Sequence, residues 1–219
     1  MTEAEWLKSN DPDGMYYAMP QQHRSSQRRI DLFCLACVRL LWHLIEDEGA
    51  KGAFAWLEEH AGERTRSSGR HSRDLFAGAG RALYEAHHRR TGDLSGRAIH
   101  IAYDFWANWY EYAFDNLPAL VRDYPGSLRE DHCVYLPAII RDIFGNPFRP
   151  VTLDSTWRTS TAVALAQQMY ESRDFSPMPI LADALQDAGC DHPDILSHCR
   201  GDGVHVRGCW VVDLVLAKE

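Results

Sequence analysis

Lysine is almost missing from this sequence, and acidic side chains outnumber basic ones. Lysine occurs only at Lys8, Lys51 and Lys218, so arginine supplies nearly all of the positive charge. The 23 lysines and arginines stand against 31 aspartates and glutamates, which gives a formal net charge of −8. Because nucleic acids and anionic membranes select positively charged surfaces, this balance argues against a general binder of either.

Long apolar runs are also lacking. A helix that crosses a bilayer needs about 20 predominantly apolar residues, and no stretch of this sequence approaches that length. The first residues, MTEAEWLKSNDPDG, are acidic and lack the apolar segment of a secretory signal. We therefore expect a cytoplasmic protein whose six cysteines are reduced, because disulfides are rare in that compartment.

The common catalytic signatures are missing as well. The sequence contains no Walker A loop, no G-x-G-x-x-G, no G-x-S-x-G and no H-E-x-x-H. These absences disfavour the usual nucleotide-binding, hydrolase and metalloprotease classes. They motivate a first functional hypothesis, in which the chain is a non-enzymatic accessory protein whose acidic surface meets a protein partner.

What the sequence does contain is helical periodicity. The clearest apolar stripe begins at Ile30 and ends at Leu44, and it predicts a helix from an N-cap at Ser25 or Ser26 to about Glu46. Further helices are predicted to end at Gly145 and Gly189, while the apolar run 209–216 is undecided between helix and strand. The expected fold is all-α, a single irregular domain over residues 1–219 with about eight to ten helices.

The middle of the chain carries two further predictions. Residues 63–72 have no periodicity and are rich in serine, glycine and arginine, which indicates a mobile surface loop. Its arginines are on an acidic protein, so nucleic-acid binding through this loop is disfavoured. Residues 97–115 are strongly aromatic and apolar on two sides, which predicts a helix at the centre of the fold.

Several stretches resemble a family of uncharacterised bacterial proteins that occurs as many paralogues per genome. The resemblance lies in MTEAEWL, in RRIDLFCLACVRLLWHL from Arg28, in RDIFGNPFRPV from Arg141, in PILADALQDAGC from Pro179 and in HCRGDGVHVRGCWVVDLVL from His198. Residues 50–138 are not part of it. The resemblance implies a bacterial, cytosolic protein, and it implies no activity, cofactor or catalytic residue.

The C-terminal end concentrates residues that ligate transition metals. A short helix is predicted to begin at Asp191 and to end with His198 and Cys199, and a glycine-rich turn then leads to His205 and Cys209. Cys199, His205 and Cys209, with His198 or a distant residue as the fourth ligand, are predicted to form a tetrahedral zinc site. The spacing matches no standard zinc module, so a packed hairpin with buried thiols is the plain alternative.

The same residues also suggest a thiol enzyme. Cys209 is then the nucleophile and His205 or His198 its base, with Asp213 orienting the imidazole. Cys199 lies beside Arg200, whose charge is expected to lower the thiol pKa. The second functional hypothesis is therefore a metal- or thiol-dependent enzyme that uses this Cys/His cluster.

Other possible sites are weaker. Cys34 and Cys37 have the spacing of half a zinc site, but both lie on the apolar stripe, so we expect them in the core. Glu85-x-x-His88 is half of a di-iron signature without its second half. Four arginines flank two predicted turns and suggest an anion-binding pocket, or alternatively caps for loop carbonyls: Arg141, Arg149, Arg200 and Arg207.

Overall fold

Every regular element in the described part of the chain is a helix. The computed structural model describes residues 1–24, 26–62 and 126–218, together with isolated helical positions 78, 79, 81, 82, 85, 86 and 99. Within these residues the all-α prediction is confirmed. The loop predicted at 63–72 and nearly all of the aromatic helix predicted at 97–115 lie outside them, as does His88. A single domain over 1–219 stays a prediction.

The first described part, residues 1–24 and 26–62, contains five helices, and the fourth is the longest of these. Ser26 caps α4 by accepting a hydrogen bond from the Arg29 amide. The helix ends at Leu40, earlier than the predicted Glu46, because the amides of Leu41 and Leu44 bond back over three residues in tight turns. The bounds are α1 Glu3–Lys8, α2 Pro12–Ala18, α3 Gln21–Arg24, α4 Gln27–Leu40 and α5 Glu48–Glu59.

The second described part begins with a 19-residue helix and ends with shorter ones. As predicted, α6 ends before Gly145 and α8 before Gly189, both at positive φ. The apolar run 209–216, which the sequence left undecided between helix and strand, contains a helix. The bounds are α6 Gly126–Phe144, a 3₁₀ turn Ser155–Trp157, α7 Ser160–Ser172, α8 Met178–Asp187, α9 Pro193–Arg200 and α10 Trp210–Leu216.

The described helices bury two hydrophobic clusters. In the first, α6 packs on α2 and α4, and Cys34 and Cys37 lie buried within it, which confirms their core placement. The second is built by α7 to α10. The segment 204–209 lies between them, because Val204 and Val206 pack on the first cluster while Cys209 belongs to the second.

Two buried ion pairs also join the clusters. The Arg28 guanidinium in α4 contacts both carboxylate oxygens of Asp213 in α10. Glu58 in α5 accepts from Arg39 at 2.7 Å and from Nε of Arg173, the residue after α7, at 2.8 Å. These charged side chains therefore fix how the two hydrophobic clusters pack against each other. Among the described helices, none combines the length and apolarity needed to cross a bilayer.

Candidate metal centre

Four side chains from three places in the sequence meet at the junction of the two clusters. They are Asp142 near the end of α6, His198 in the last turn of α9, His205 in the following turn and Cys209 at the start of α10. One potential ligand atom from each lies within 4.8 Å of the others. Asp142 and Cys209 are fully enclosed, while His198 keeps 19% of its side chain exposed.

The distances place the ligand atoms around one point. Asp142 Oδ1 lies 2.8 Å from His205 Nδ1 and 3.2 Å from His198 Nε2. Cys209 Sγ lies 3.2 Å from His198 Nε2 and 4.0 Å from His205 Nδ1. A tetrahedral zinc ion with ordinary bond lengths requires ligand atoms roughly 3.3–3.7 Å apart. The group therefore needs only small adjustments to hold a metal ion.

Backbone geometry brings Cys209 into this group. Gly208 has φ +101°, a conformation that side chains rarely adopt, and a Cβ there would lie 2.9 Å from Leu32 Cδ1. The absence of a side chain lets the chain turn tightly against α4. Cys209 follows at once as the N-cap of α10, so its position depends on this glycine.

The Asp142 carboxylate has hydrogen-bond partners at both of its oxygens. Burial alone raises the pKa of Asp142, but hydrogen bonds from His198 and His205 outweigh it and lower the pKa overall. The second oxygen, Oδ2, accepts a 2.8 Å hydrogen bond from the Val206 amide. Metal-ligating carboxylates usually have such an outer partner, which fixes their orientation.

The arrangement does not fit a thiol-based catalytic triad. In such a triad the base uses one ring nitrogen for the thiol and the other for the carboxylate. In this protein His198 directs the same nitrogen, Nε2, at both Cys209 and Asp142, and His205 does the same with Nδ1. Convergence of nitrogens, oxygen and sulfur on one point is what metal coordination requires.

The thiols are also in surroundings that suppress nucleophilicity. Burial raises the pKa of Cys209 well above its ordinary value, and the nearby Asp142 carboxylate adds to the shift. Burial raises the pKa of Cys199 to about 12, although the charge of Arg200 acts in the opposite direction, so the prediction of a lowered pKa for Cys199 is wrong. Asp213 is bound to Arg28 rather than to either imidazole. A Cys209 thiolate would need a positive charge beside it, which a metal cation held by this group would supply.

The structure separates the predicted ligands into two sets. His198, His205 and Cys209 lie in the group, but Cys199 is buried in the second cluster and is not part of it. The distant member of the group is Asp142. The short helix before this site is capped by His192 and not by Asp191, because His192 Nδ1 accepts from the Asp194 amide and Pro193 occupies the first helical position.

Asp142 was missed as a ligand because it precedes His198 by more than fifty residues. One signal was available, since the sequence IIRDIF places an aspartate in an apolar stretch. Ile139 and Ile143 are fully buried, and Asp142 shares their environment at 1% exposure. Carboxylates are seldom buried to this extent unless they are paired or bind metal.

The four predicted anion-binding arginines do not form one site. Arg141 donates to the carbonyls of Trp6 and Ser9 at the end of α1, in line with the capping alternative. Arg200 pairs with Asp183 on the surface, and Arg207 stacks over the Tyr170 ring. Arg141 and Arg149 line a common cavity.

Comparisons with family models, with curated proteins and with solved structures gave no match. The resemblance to the bacterial paralogue family therefore stays a prediction.

Proposed function

We propose that this protein binds one zinc ion through Asp142, His198, His205 and Cys209. The observation that carries the proposal is the convergence of four ligand atoms within 4.8 Å. One carboxylate oxygen, two imidazole nitrogens and one thiolate are a ligand set that zinc accepts in tetrahedral geometry.

The zinc ion has a structural role in this proposal. Four protein ligands fill a tetrahedral site and leave no open position for water or substrate, as in structural zinc sites. The ligands come from α6, from α9 and from the turn that leads into α10. The ion therefore cross-links the first hydrophobic cluster to the second.

A structural ion agrees with the hypothesis of a non-enzymatic accessory protein. The sequence contains no common catalytic signature, and the geometry at Cys209 lacks the separate thiol and carboxylate contacts of a triad. The proposed role is a zinc-stabilised helical scaffold that binds a protein partner.

Metal analysis of the purified protein tests the zinc site. We expect close to one equivalent of zinc per chain, and less than about a tenth of an equivalent in Cys209→Ser and Asp142→Asn, because tight structural sites retain their ion. Replacement of zinc by cobalt should give a thiolate-to-metal charge-transfer band that Cys209→Ser abolishes.

Cys199→Ser is the matched control, since Cys199 is a buried cysteine of the same segment outside the group. It should retain the full equivalent of zinc and the cobalt band. Loss of metal in Cys199→Ser together with retention in Asp142→Asn would mean that the ligand set is wrong. A metal-free wild-type protein that takes up no zinc on titration would remove the proposal.

A further inference from the structure

A surface cavity of about 280 Å³ adjoins the candidate metal centre. It lies between α1, the end of α6 and α9, and His198 forms part of its wall. Ligand pockets for drug-sized molecules usually begin at about 300 Å³. The size therefore suits a small molecule of a few heavy atoms rather than a cofactor or a peptide.

The charges on the cavity wall are unevenly matched. The wall has two carboxylates, Glu3 and Asp194, and Arg149 contacts both, at 2.6 Å and 4.0 Å. Glu3 also accepts from the Asn146 amide at 2.8 Å. Arg141 has no carboxylate within ion-pair distance among the described residues, and its contacts are the carbonyls of Trp6 and Ser9.

Hydrogen-bond donors in the same wall also lack acceptors. Trp6 Nε1 and Arg141 Nε are buried, and neither has a partner within the described residues. Both groups can only donate. A buried donor without a partner destabilises the protein, so a ligand that brings acceptor oxygens to this wall is favoured.

We propose that this cavity binds a small carboxylate with an apolar body, whose carboxylate group contacts Arg141. Planar carboxylates match the guanidinium fork, and Trp6, whose Nε1 lacks an acceptor, lines the same cavity. The apolar body lies against Leu7 and Trp210, which line the same cavity. The site depends on the cavity and not on zinc, so it stands apart from the proposed function.

Butyrate is the probe, and the indole N–H resonance of Trp6 is the readout in a nitrogen–proton correlation spectrum. The sequence contains seven tryptophans, so Trp6→Phe assigns the signal by its loss. At constant ionic strength we expect a saturable downfield shift with a dissociation constant of about 1–10 mM, typical of a ligand with few heavy atoms. Butylamine has the same apolar body with the opposite charge and should cause no shift.

Substitutions then separate the cavity from general charge effects. Arg141→Gln should weaken butyrate binding at least tenfold, and Arg149→Gln, whose side chain is 59% exposed, should weaken it about threefold without risk to folding. Arg200→Gln is the matched control, because Arg200 pairs with Asp183 outside the cavity, and it should bind butyrate like the wild type.

Three results would overturn the proposal. The first is the absence of a Trp6 shift at butyrate concentrations up to about fifty times the expected dissociation constant. The second is an equal shift with butylamine. The third is wild-type butyrate affinity in both Arg149→Gln and a folded Arg141→Gln. The titration is repeated on zinc-free Cys209→Ser protein, and binding there should persist. This arm keeps a failure of the cavity distinct from a failure of the metal site.

Discussion

Neutralising Glu58 should loosen the junction between the two hydrophobic clusters. The Glu58 side chain is 4% exposed, and its Oε2 atom accepts from Arg39 at 2.7 Å and from Arg173 Nε at 2.8 Å. Arg39 belongs to α4, whereas Arg173 follows α7 in a left-handed conformation. Glu58→Gln keeps the volume and removes the charge that both guanidinium groups share.

The expected loss of stability follows from the exposure of the three partners. Removing one member of a fully buried ion pair costs about 3–5 kcal/mol. Arg39 and Arg173 are 27% and 32% exposed, so water recovers part of this loss, and we expect about 2–3 kcal/mol. At roughly 2–4 °C per kcal/mol for a chain of this size, the melting temperature should fall by about 4–12 °C.

The effect should depend on pH in one direction. Burial raises the pKa of Glu58, but hydrogen bonds from Arg173 and Arg39 outweigh it and lower the pKa below its ordinary value. The stabilisation is therefore complete above the unfolded pKa of about 4.3 and is lost as the pH falls through the lower folded pKa. The difference between wild type and Glu58→Gln should be full at neutral pH and shrink in acid.

Urea denaturation followed by tryptophan fluorescence measures both effects. Glu48→Gln is the matched control, because Glu48 forms an exposed pair with Lys51 and is 83% exposed. Such surface pairs contribute about 0–1 kcal/mol. If Glu58→Gln costs no more than Glu48→Gln, or if its cost is unchanged well below pH 4, then the two arginines do not act through the Glu58 charge.

Two further predictions concern the backbone and the thiols near the metal centre. Gly208→Ala should lower the free energy of unfolding by roughly 1–3 kcal/mol, because residue 208 has a positive φ. Gly52→Ala is the control, since a Cβ at Gly52 would meet no atom within 4 Å, and thermal unfolding should show it to be neutral or stabilising. Maleimide labelling at neutral pH, mapped by mass spectrometry, should leave five buried thiols unmodified, and rapid labelling of Cys209 would instead favour the thiol-enzyme hypothesis. These thiols are Cys34, Cys37, Cys190, Cys199 and Cys209.

Much of the described helical structure was predictable, because its signals are local. The apolar stripe of α4 and the glycines after α6 and α8 act within one or two turns of the chain. The misplaced end of α4 has a tertiary cause, since Leu41 and Ile45 stay buried through tight turns that the periodicity does not distinguish from helix. Periodicity predicts which residues are buried better than it predicts where a helix ends.

The candidate site was predictable only in part, because its fourth member is non-local. His198, His205 and Cys209 are close in sequence, so a single turn brings them together. Cys199 was an equal candidate by spacing, and only the direction of its side chain into the second cluster removes it. Asp142 comes from another helix, and its place depends on how α6 packs against the C-terminal segment. Sequence spacing contains no information on that packing.

The buried carboxylates at the junction of the clusters differ in one respect that bears on the metal. Asp213 faces the guanidinium of Arg28, and Glu58 faces two guanidinium groups. Asp142, at 1% exposure, faces two imidazoles and a thiol, and it pairs with no guanidinium group among the described residues. A buried carboxylate is costly unless it is paired or coordinates a metal ion. The divalent cation that we propose would supply at Asp142 the positive charge that arginine supplies at Asp213 and at Glu58.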